Sequence, residues 1–484
     1  MPVSRISRLF FLFTAPLALL LAGCGGSGSR PTPQGGFTVS SLNGSYAFSF
    51  SGNDAAGFFA AAGTMALDGA GHITSGILDL NRGTGVAPNI ALTGSYSIKA
   101  DGRGTAILNT ATAGNMNLVF VVISSQHALV SRFENVATGS GSMDLSNSGA
   151  FTTTALAGSF AFNWSGLDGP GNPEATAGSI TLDNTGTLTT GVQDIVDGNL
   201  PLTNQPIGAG TLSITTSGRG TLALTTSIGS LTFAIYPVST NFFKAVEIDN
   251  IAQLAGDVFR QQGPSNNTAL NGPFAFTIAG SDEAALAPLA VGGVFTSSGT
   301  GAITTGTEDQ NDGGSPSTNV PISGNYAIAG LRGTLTFTGT NFAQNFVFYP
   351  TTGGIQLLEI DSGVVLSGVA FQQSGAFSNA SIQGAYGLNL SGLTPGGELD
   401  ENASLNANGN GGYSGILDAN NVFTPTPGIA LTGAYTVDAT GRGPMTLNSA
   451  IAGQNLAVYV VNGTQALFID LDSGLVAAGQ MQHQ

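Results

Sequence analysis

The chain has 484 residues, of which 42% are hydrophobic and only 8% charged, with 72 glycines and a formal net charge of −16. That apolar content, strictly patterned, excludes an acidic disordered chain and points to folded β-structure. The acidic balance sets nucleic acid aside as a partner, since such binding depends on Lys and Arg neutralising phosphates.

The N-terminal segment has three parts. Arg5 and Arg8 precede an apolar run from Leu9 to Ala22, too short and too closely followed by Gly and Ser for a membrane-spanning helix. The run ends in Leu21-Ala22-Gly23-Cys24. This tetrapeptide resembles the lipobox of bacterial lipoproteins, in which small residues precede a cysteine whose thiol receives a diacylglycerol. The resemblance covers the first 24 residues. It implies a signal peptide over 1–23, lipid attachment (palmitate among the acyl chains) at Cys24, and a membrane partner through that lipid. Cys24 is the single cysteine, so acylation accounts for a lone thiol in a secreted chain, and no disulfide can staple the fold. Residues 24–41 read as a flexible Gly/Ser/Pro tether. Gly25 stands where an aspartate would favour inner-membrane retention, so the outer membrane or cell surface is the expected location. Loss of the signal removes Arg5 and Arg8, leaving the mature chain more acidic still.

Beyond the tether the chain repeats itself. Each unit opens with one phrase: Leu42-Asn43-Gly44-Ser45-Tyr46, Leu156-Ala157-Gly158-Ser159-Phe160, Leu270-Asn271-Gly272-Pro273-Phe274 and Ile382-Gln383-Gly384-Ala385-Tyr386. A second phrase centres on Arg103, Arg219, Arg332 and Arg442. A third is acidic: Phe133-Glu134, Glu247-Ile248-Asp249, Glu359-Ile360-Asp361 and Asp470-Leu471-Asp472. These markers divide the chain into repeats at 42–155, 156–269, 270–381 and 382–484. Each is long enough to bury its own core, which predicts four beads on a string rather than one closed superstructure.

Within each unit the hydrophobic period is 2. Tyr46, Phe48 and Phe50 alternate with Ala47 and Ser49, and the same places hold Phe160, Phe162 and Trp164 in the second repeat. Turn signals such as Asp68-Gly69-Ala70-Gly71 separate the alternating stretches. In the first repeat the pattern predicts strands near 45–50, 58–67, 71–80, 90–99, 103–109, 116–124, 127–135 and 137–145. The expected fold is all-β: four tandem antiparallel up-and-down barrels of about eight strands, with two-sheet β-sandwiches as the alternative. In strand count and length the repeats are similar to lipocalin- or avidin-type barrels, a fold-level analogy that carries no diagnostic residue. The inward aromatics of the first strand favour solid cores over cavities.

In such a meander the connections after strands one and three differ most among repeats, as Asn53–Gly57 against Gly166–Thr176 and Asn81–Pro88 against Gln310–Asn319 show. Variable loops on a fixed scaffold would be where binding sits. Arg103, Arg219, Arg332 and Arg442 are expected to close a hairpin turn by bonding nearby carbonyls or an acidic side chain. Asp79, Asp194, Asp309 and Asp418, with Glu134, Asp249, Asp361 and Asp472, are placed at the opposite end of each barrel, about one strand length away. No metal site is expected from them, because strands three and seven are not neighbours and no Asp-x-Asp-x-Asp-Gly loop occurs. No cofactor and no catalytic residue are expected either: His72, His127 and His483 do not recur between units, and no Gly-x-Ser-x-Gly elbow is present.

The sequence therefore predicts a lipid-anchored envelope protein whose four β-domains act as a non-catalytic binding, adhesion or structural surface module. Its partner would be a polysaccharide or another envelope component. Small-molecule-binding barrels of lipocalin-like type are the alternative.

Overall fold

The structure is a computed structural model that describes residues 36–484 apart from 262, 264, 340–342 and 452. The expected signal peptide, Cys24 and most of the expected tether lie outside the described residues. Repeat 1 comprises β1 (Asn43–Asp54), β2 (Gly57–Asp68), β3 (His72–Arg82), β4 (Gly85–Ile98), β5 (Arg103–Thr110), β6 (Asn115–Ser124), β7 (His127–Phe133) and β8 (Ala137–Leu145). Each strand pairs antiparallel with its sequence neighbour, and β8 returns to β1, where Phe50 lies opposite both Ala61 and Gly141. The result is a closed up-and-down barrel, and repeats 3 and 4 close the same way. Closure decides against the sandwich, because no pair of free sheet edges is left to face one another.

Repeat 2 departs in one element. Its fourth strand is split into Leu200–Pro206 and Ala209–Ile214, so the repeat is a nine-stranded sheet with the two pieces at its edges. A bridge between Thr187 and Thr211 joins the third strand to the second piece. The strands of the other repeats are counted from one to eight in the same order below. Among the described residues no helix is long and apolar enough to cross a membrane.

The repeated opening phrase now has a physical meaning. A short 3-10 turn precedes each repeat, at Val39–Ser41, Ser148–Ala150, Asn267–Ala269 and Asn379–Ser381. It delivers Leu42, Leu156, Leu270 and Ile382 to one end of each barrel, where all four are buried. In three repeats a tyrosine in the fourth strand or just past its end pins the plug: Tyr96, Tyr326 and Tyr435 donate to the carbonyls of Leu42, Leu270 and Ile382. The glycine that follows has positive φ (+129° at Gly44, +115° at Gly158), a conformation costly for any residue with a Cβ. Inside, aromatic rings fill the lumen: Trp164 stacks on Phe162 and on Phe233, each at 3.9 Å between centroids, and Phe48 stacks on Phe50 at 5.9 Å.

The four repeats are not beads on a string. The outer wall made by strands one and two of each repeat packs against strands six to eight of the next. Thus Ala47, Phe58, Ala60 and Ala62 meet Ala234, Tyr236, Val246 and Ala255. Repeat 2 meets repeat 3 through Ala175, Ala177 and Val196 against Val347, Tyr349 and Leu358, and repeat 3 meets repeat 4 likewise. The series then closes on itself, because strands one and two of repeat 4 pack on strands six to eight of repeat 1. The contacts are head-to-tail and the rotation closes, so the molecule is a four-membered ring. Small residues on the outward face of the first two strands allow this close approach. That is why those strands are buried on both faces while β4 and β5 keep the alternation of a half-exposed strand.

Candidate functional site

The repeated arginines and aspartates come together across the joints of the ring. Within one barrel they stand apart, as the meander requires, but each arginine reaches the third-strand aspartate of the preceding repeat. Arg219 grips Asp79 through Nε and Nη2, both at 2.8 Å. Arg332 holds Asp194 at 2.8 and 2.7 Å, and Arg442 holds Asp309 at 2.7 and 2.5 Å. These are bidentate, charge-assisted pairs. The expectation that the arginine closes its own hairpin is thereby corrected, because its principal partner belongs to the neighbouring repeat. Arg103 does both: Nε bonds Asp101 of its own turn at 3.0 Å, while Nη1 alone reaches Asp418, at 3.0 and 3.1 Å.

Three of the four aspartates are saturated. Asp79 also accepts the Asn89 amide at 2.7 Å and the Tyr236 hydroxyl. Asp194 and Asp309 accept the Asn204 and Asn319 amides and the hydroxyls of Tyr349 and Tyr459, and Asp418 accepts the Gly428 amide. Asn89, Asn204 and Asn319 sit at φ of +57°, +54° and +58°, where Asn is better tolerated than other side chains and where repeat 4 uses Gly428. Burial drives the Tyr236, Tyr349 and Tyr459 hydroxyls well above their ordinary range, so all three stay protonated donors. Opposite Arg103 the corresponding residue is Val121, and that joint has no such tyrosine.

Two further side chains stitch the joints. Asn81 donates to the carbonyls of Glu247 and Ala252, Asn311 to those of Asp470, Asp472 and Leu475, and Asn420 to those of Arg132, Glu134 and Ala137. Gln261, Gln373 and Gln484 reach forward to carbonyls at or beside the next arginine turn, those of Leu331, Thr440 and Asp101. Sequence reading missed these residues, although Asp-x-Asn recurs in three of four repeats and could have been found.

The second acidic set has a local role. Glu134, Asp249, Asp361 and Asp472 each accept the amide of a sixth-strand residue, at 2.5 to 2.8 Å. It does not meet the third-strand aspartates of its own barrel. Among the described residues no three His, Cys, Asp or Glu side chains cluster as metal ligands would.

The barrel interiors hold carboxyl groups that the alternation analysis overlooked. Burial pushes Glu174 up to about 8 and Glu247 up to about 9 in repeat 2. Glu308 rises to about 8 and Glu359 well above the ordinary carboxylate range in repeat 3, with Glu401 at about 7 and Asp470 at about 8 in repeat 4. Repeat 1 puts Arg132 where the others put Glu247, Glu359 and Asp470, and pairs it with Glu134 at 2.8 Å. The histidines are also placed: His72 bonds Asp68, His127 bonds Asp144, and His483 lies edge-on to Tyr386.

The connections expected to be variable loops are mostly tight turns, because the strands run further than the alternation suggested. Residues 55–56 join β1 to β2, residues 83–84 join β3 to β4, and Gly313-Gly314 does the same in repeat 3. With these ends short, the surface left open is the outer face of the third to fifth strands. It presents hydroxyls and amides: Thr93, Ser95, Ser97, Thr105 and Asn109 in repeat 1, and Thr318, Asn319, Ser323, Asn325, Thr334 and Thr338 in repeat 3. Apart from Lys99, exposed just past the end of β4, the described cations sit elsewhere. Arg82, Arg103, Arg132, Arg219, Lys244, Arg260, Arg332 and Arg442 are all engaged in ion pairs or carbonyl contacts.

No family model and no curated protein matches this chain. Among solved structures, a mutant of the vaccine antigen transferrin binding protein B from Haemophilus parasuis is matched over 76% of this chain and 86% of that one, at 10% identity. Its TM-score is 0.19, which leaves the two without a common superposition and gives the likeness no weight in assigning a role.

Proposed function

We propose that this chain is a lipid-anchored envelope protein, a rigid and non-catalytic four-lobed module that binds a neutral, hydroxyl-rich polymer at the cell surface. The observation that carries this reading is how the barrel walls are used. Interiors are packed with side chains, one wall of each barrel is spent on each neighbour, and the face that stays open is neutral and rich in Thr, Ser and Asn. Such a face offers many weak donors and acceptors and no charge, which suits a polysaccharide better than a charged partner. Four copies on one rigid ring supply avidity from contacts that are individually weak. Anchorage at Cys24 and placement at the outer membrane or cell surface rest on the lipobox-like tetrapeptide.

The test is co-sedimentation of lipid-free residues 25–484 with insoluble polysaccharide from the producing cell's envelope, at low salt and at 0.5 M salt. Binding that survives the salt supports the reading, since few charges are involved. Absence of binding, with a small molecule retained in native mass spectrometry at one copy per barrel, overturns it in favour of a carrier.

A further inference from the structure

Three departures from the repeat meet at one point of the joint between repeats 1 and 2. On the seventh strand of repeat 2 stands Lys244, where the other repeats carry Leu129, Gln356 and Leu467. Directly opposite on the eighth strand is Asp257, where they carry Ser142, Val369 and Gln480. Across the joint, the eighth strand of repeat 1 contributes Asp144, whose counterparts in repeats 2 and 4 are Phe259 and Gln482.

Lys244 Nζ lies 3.0 Å from Asp144 Oδ2 and 3.6 Å from Asp257 Oδ1. It also donates to Ser142 at 2.8 Å and stands 5.1 Å from the centre of the Phe242 ring. Asp144 Oδ1 is held from its other side by His127 Nδ1 at 2.9 Å. Side-chain exposure is 0% for Lys244, 7% for Asp144 and 6% for Asp257, so the three groups meet almost out of reach of water. Two carboxylates and one ammonium buried together leave a charge without a counter-ion, which is costly. Asp257 bears it, since neither of its oxygens makes a hydrogen bond, and burial pushes it up to about 6. Burial alone would raise Asp144 and lower Lys244, but the attraction between them outweighs it and keeps that pair charged.

From this geometry we infer that Lys244 and Asp144 condense to an isopeptide bond, a covalent staple between repeats 1 and 2, with Asp257 relaying the protons. Asp257 takes a proton from the ammonium and passes it to Asp144 Oδ2. The freed Nζ lone pair then attacks Cγ, one bond beyond that oxygen. A second proton follows the same route from nitrogen to the departing oxygen, the C–O bond breaks, and one water leaves. One Nζ–Cγ amide has formed, Asp257 ends as it began, and no oxidant or reductant is required. His127 Nδ1–H, set against Oδ1, stabilises the oxyanion of the adduct. Contact in a closed site replaces an encounter in solution. Loss of one positive and one negative charge together also removes the cost of keeping both buried. This staple does not depend on what the open faces of the ring bind.

The experiment is the intact mass of lipid-free residues 25–484, folded and then denatured, followed by tryptic mapping. The staple is expected to lower the mass by one water, about 18 Da. Trypsin should then fail to cut after Lys244, and residues 133–219 should be recovered joined to residues 220–260. Lys244→Met is expected to restore the full sequence mass and lower the thermal midpoint. Asp257→Asn leaves both reacting groups in place, so this variant is expected to fold, keep the full mass and be cut after Lys244. Full mass in the parent, with cleavage after Lys244, overturns the staple whatever the variants do. A D257N chain joined as completely as the parent overturns the role given to Asp257.

Discussion

At the residue scale the molecule is governed by one decision made four times, the burial of an Asp carboxylate against a neighbour's guanidinium. Asp79 and Asp194 are fully buried and Arg219 and Arg332 partly so, which is costly unless every lone pair and N–H is met. Removing one partner strands the other. Asp194→Ala is therefore expected to destabilise by roughly 3–5 kcal/mol in urea unfolding, the cost typical of orphaning a buried charge. Arg103→Ala is expected to lose markedly less than Arg332→Ala, because Asp418 receives only one guanidinium nitrogen and Arg103 already leans on Asp101. Equal losses would show that the bidentate geometry contributes nothing. The arginine and aspartate were visible in the sequence as recurring letters. Their pairing was not, because both residues were assigned to opposite ends of one barrel and the distance was measured inside the wrong unit.

At the element scale, strand count and strand order were legible because a period of 2 with Gly- and Asx-rich turns admits few alternatives. The eight stretches foreseen in repeat 1 all appear, longer by one to five residues at several ends. The missing residues were those next to turns, where small residues such as Ala55 and Gly57 blur the alternation. The break in the fourth strand of repeat 2, at Ile207-Gly208, was not foreseen. Nor were the interior acids: Glu247 sits on the same parity as Phe243 and Ala245, so the alternation itself pointed it inward. Glu247 was read only as part of the recurring acidic phrase, with Asp249 taken as the residue at the strand end. One element prediction follows from the fourth strand, where Asn89 at φ +57° offers its amide to Asp79. Asn89→Gly, copying Gly428, is expected to leave the thermal midpoint within a few degrees of the parent. Asn89→Val is expected to lower stability by about 1–2 kcal/mol, since a β-branched residue is strained there. Equal stability of the two variants would mean the left-handed turn is not held.

At the scale of the whole molecule the ring has one unlike joint. Three joints are lined by alanine, valine and tyrosine, whereas repeat 4 meets repeat 1 through Glu398, Asp400, Asn389 and Asn402. At the places of Glu398 and Asp400, repeat 1 has Phe58 and Ala60. Glu398 accepts from Asn53 at 2.7 Å and Asp400 from Thr138 at 2.6 Å, while Ser131 and Ser140 meet Asn389 and Asn402. No basic side chain is among these partners. Burial drives Glu398 well above the carboxylate range and Asp400 up to about 6. A group that binds its proton more tightly when folded stabilises the fold at low pH, and that contribution fades as pH rises through the folded-state value. The interior acids, at about 7 to 9, act in the same direction. The protein is thus expected to be most stable near pH 4–5 and to lose stability progressively from pH 5 to 9. Amide exchange at the joint of repeats 4 and 1 should accelerate first. The double variant Glu398→Gln, Asp400→Asn should flatten the response at this joint while leaving the slope set by the barrel interiors. Stability that instead rises from pH 5 to 8 would contradict these assignments.

The head-to-tail closure has a consequence for how such a molecule can change. Four like subunits joined in a circle would ordinarily form a cyclic tetramer, in which any substitution appears at all four contacts at once and symmetry forbids specialising one of them. Writing the four protomers on a single polypeptide removes that restriction. One contact can trade alanine for glutamate and aspartate, and another can acquire a buried lysine between two aspartates, while the remaining clamps keep the circle intact.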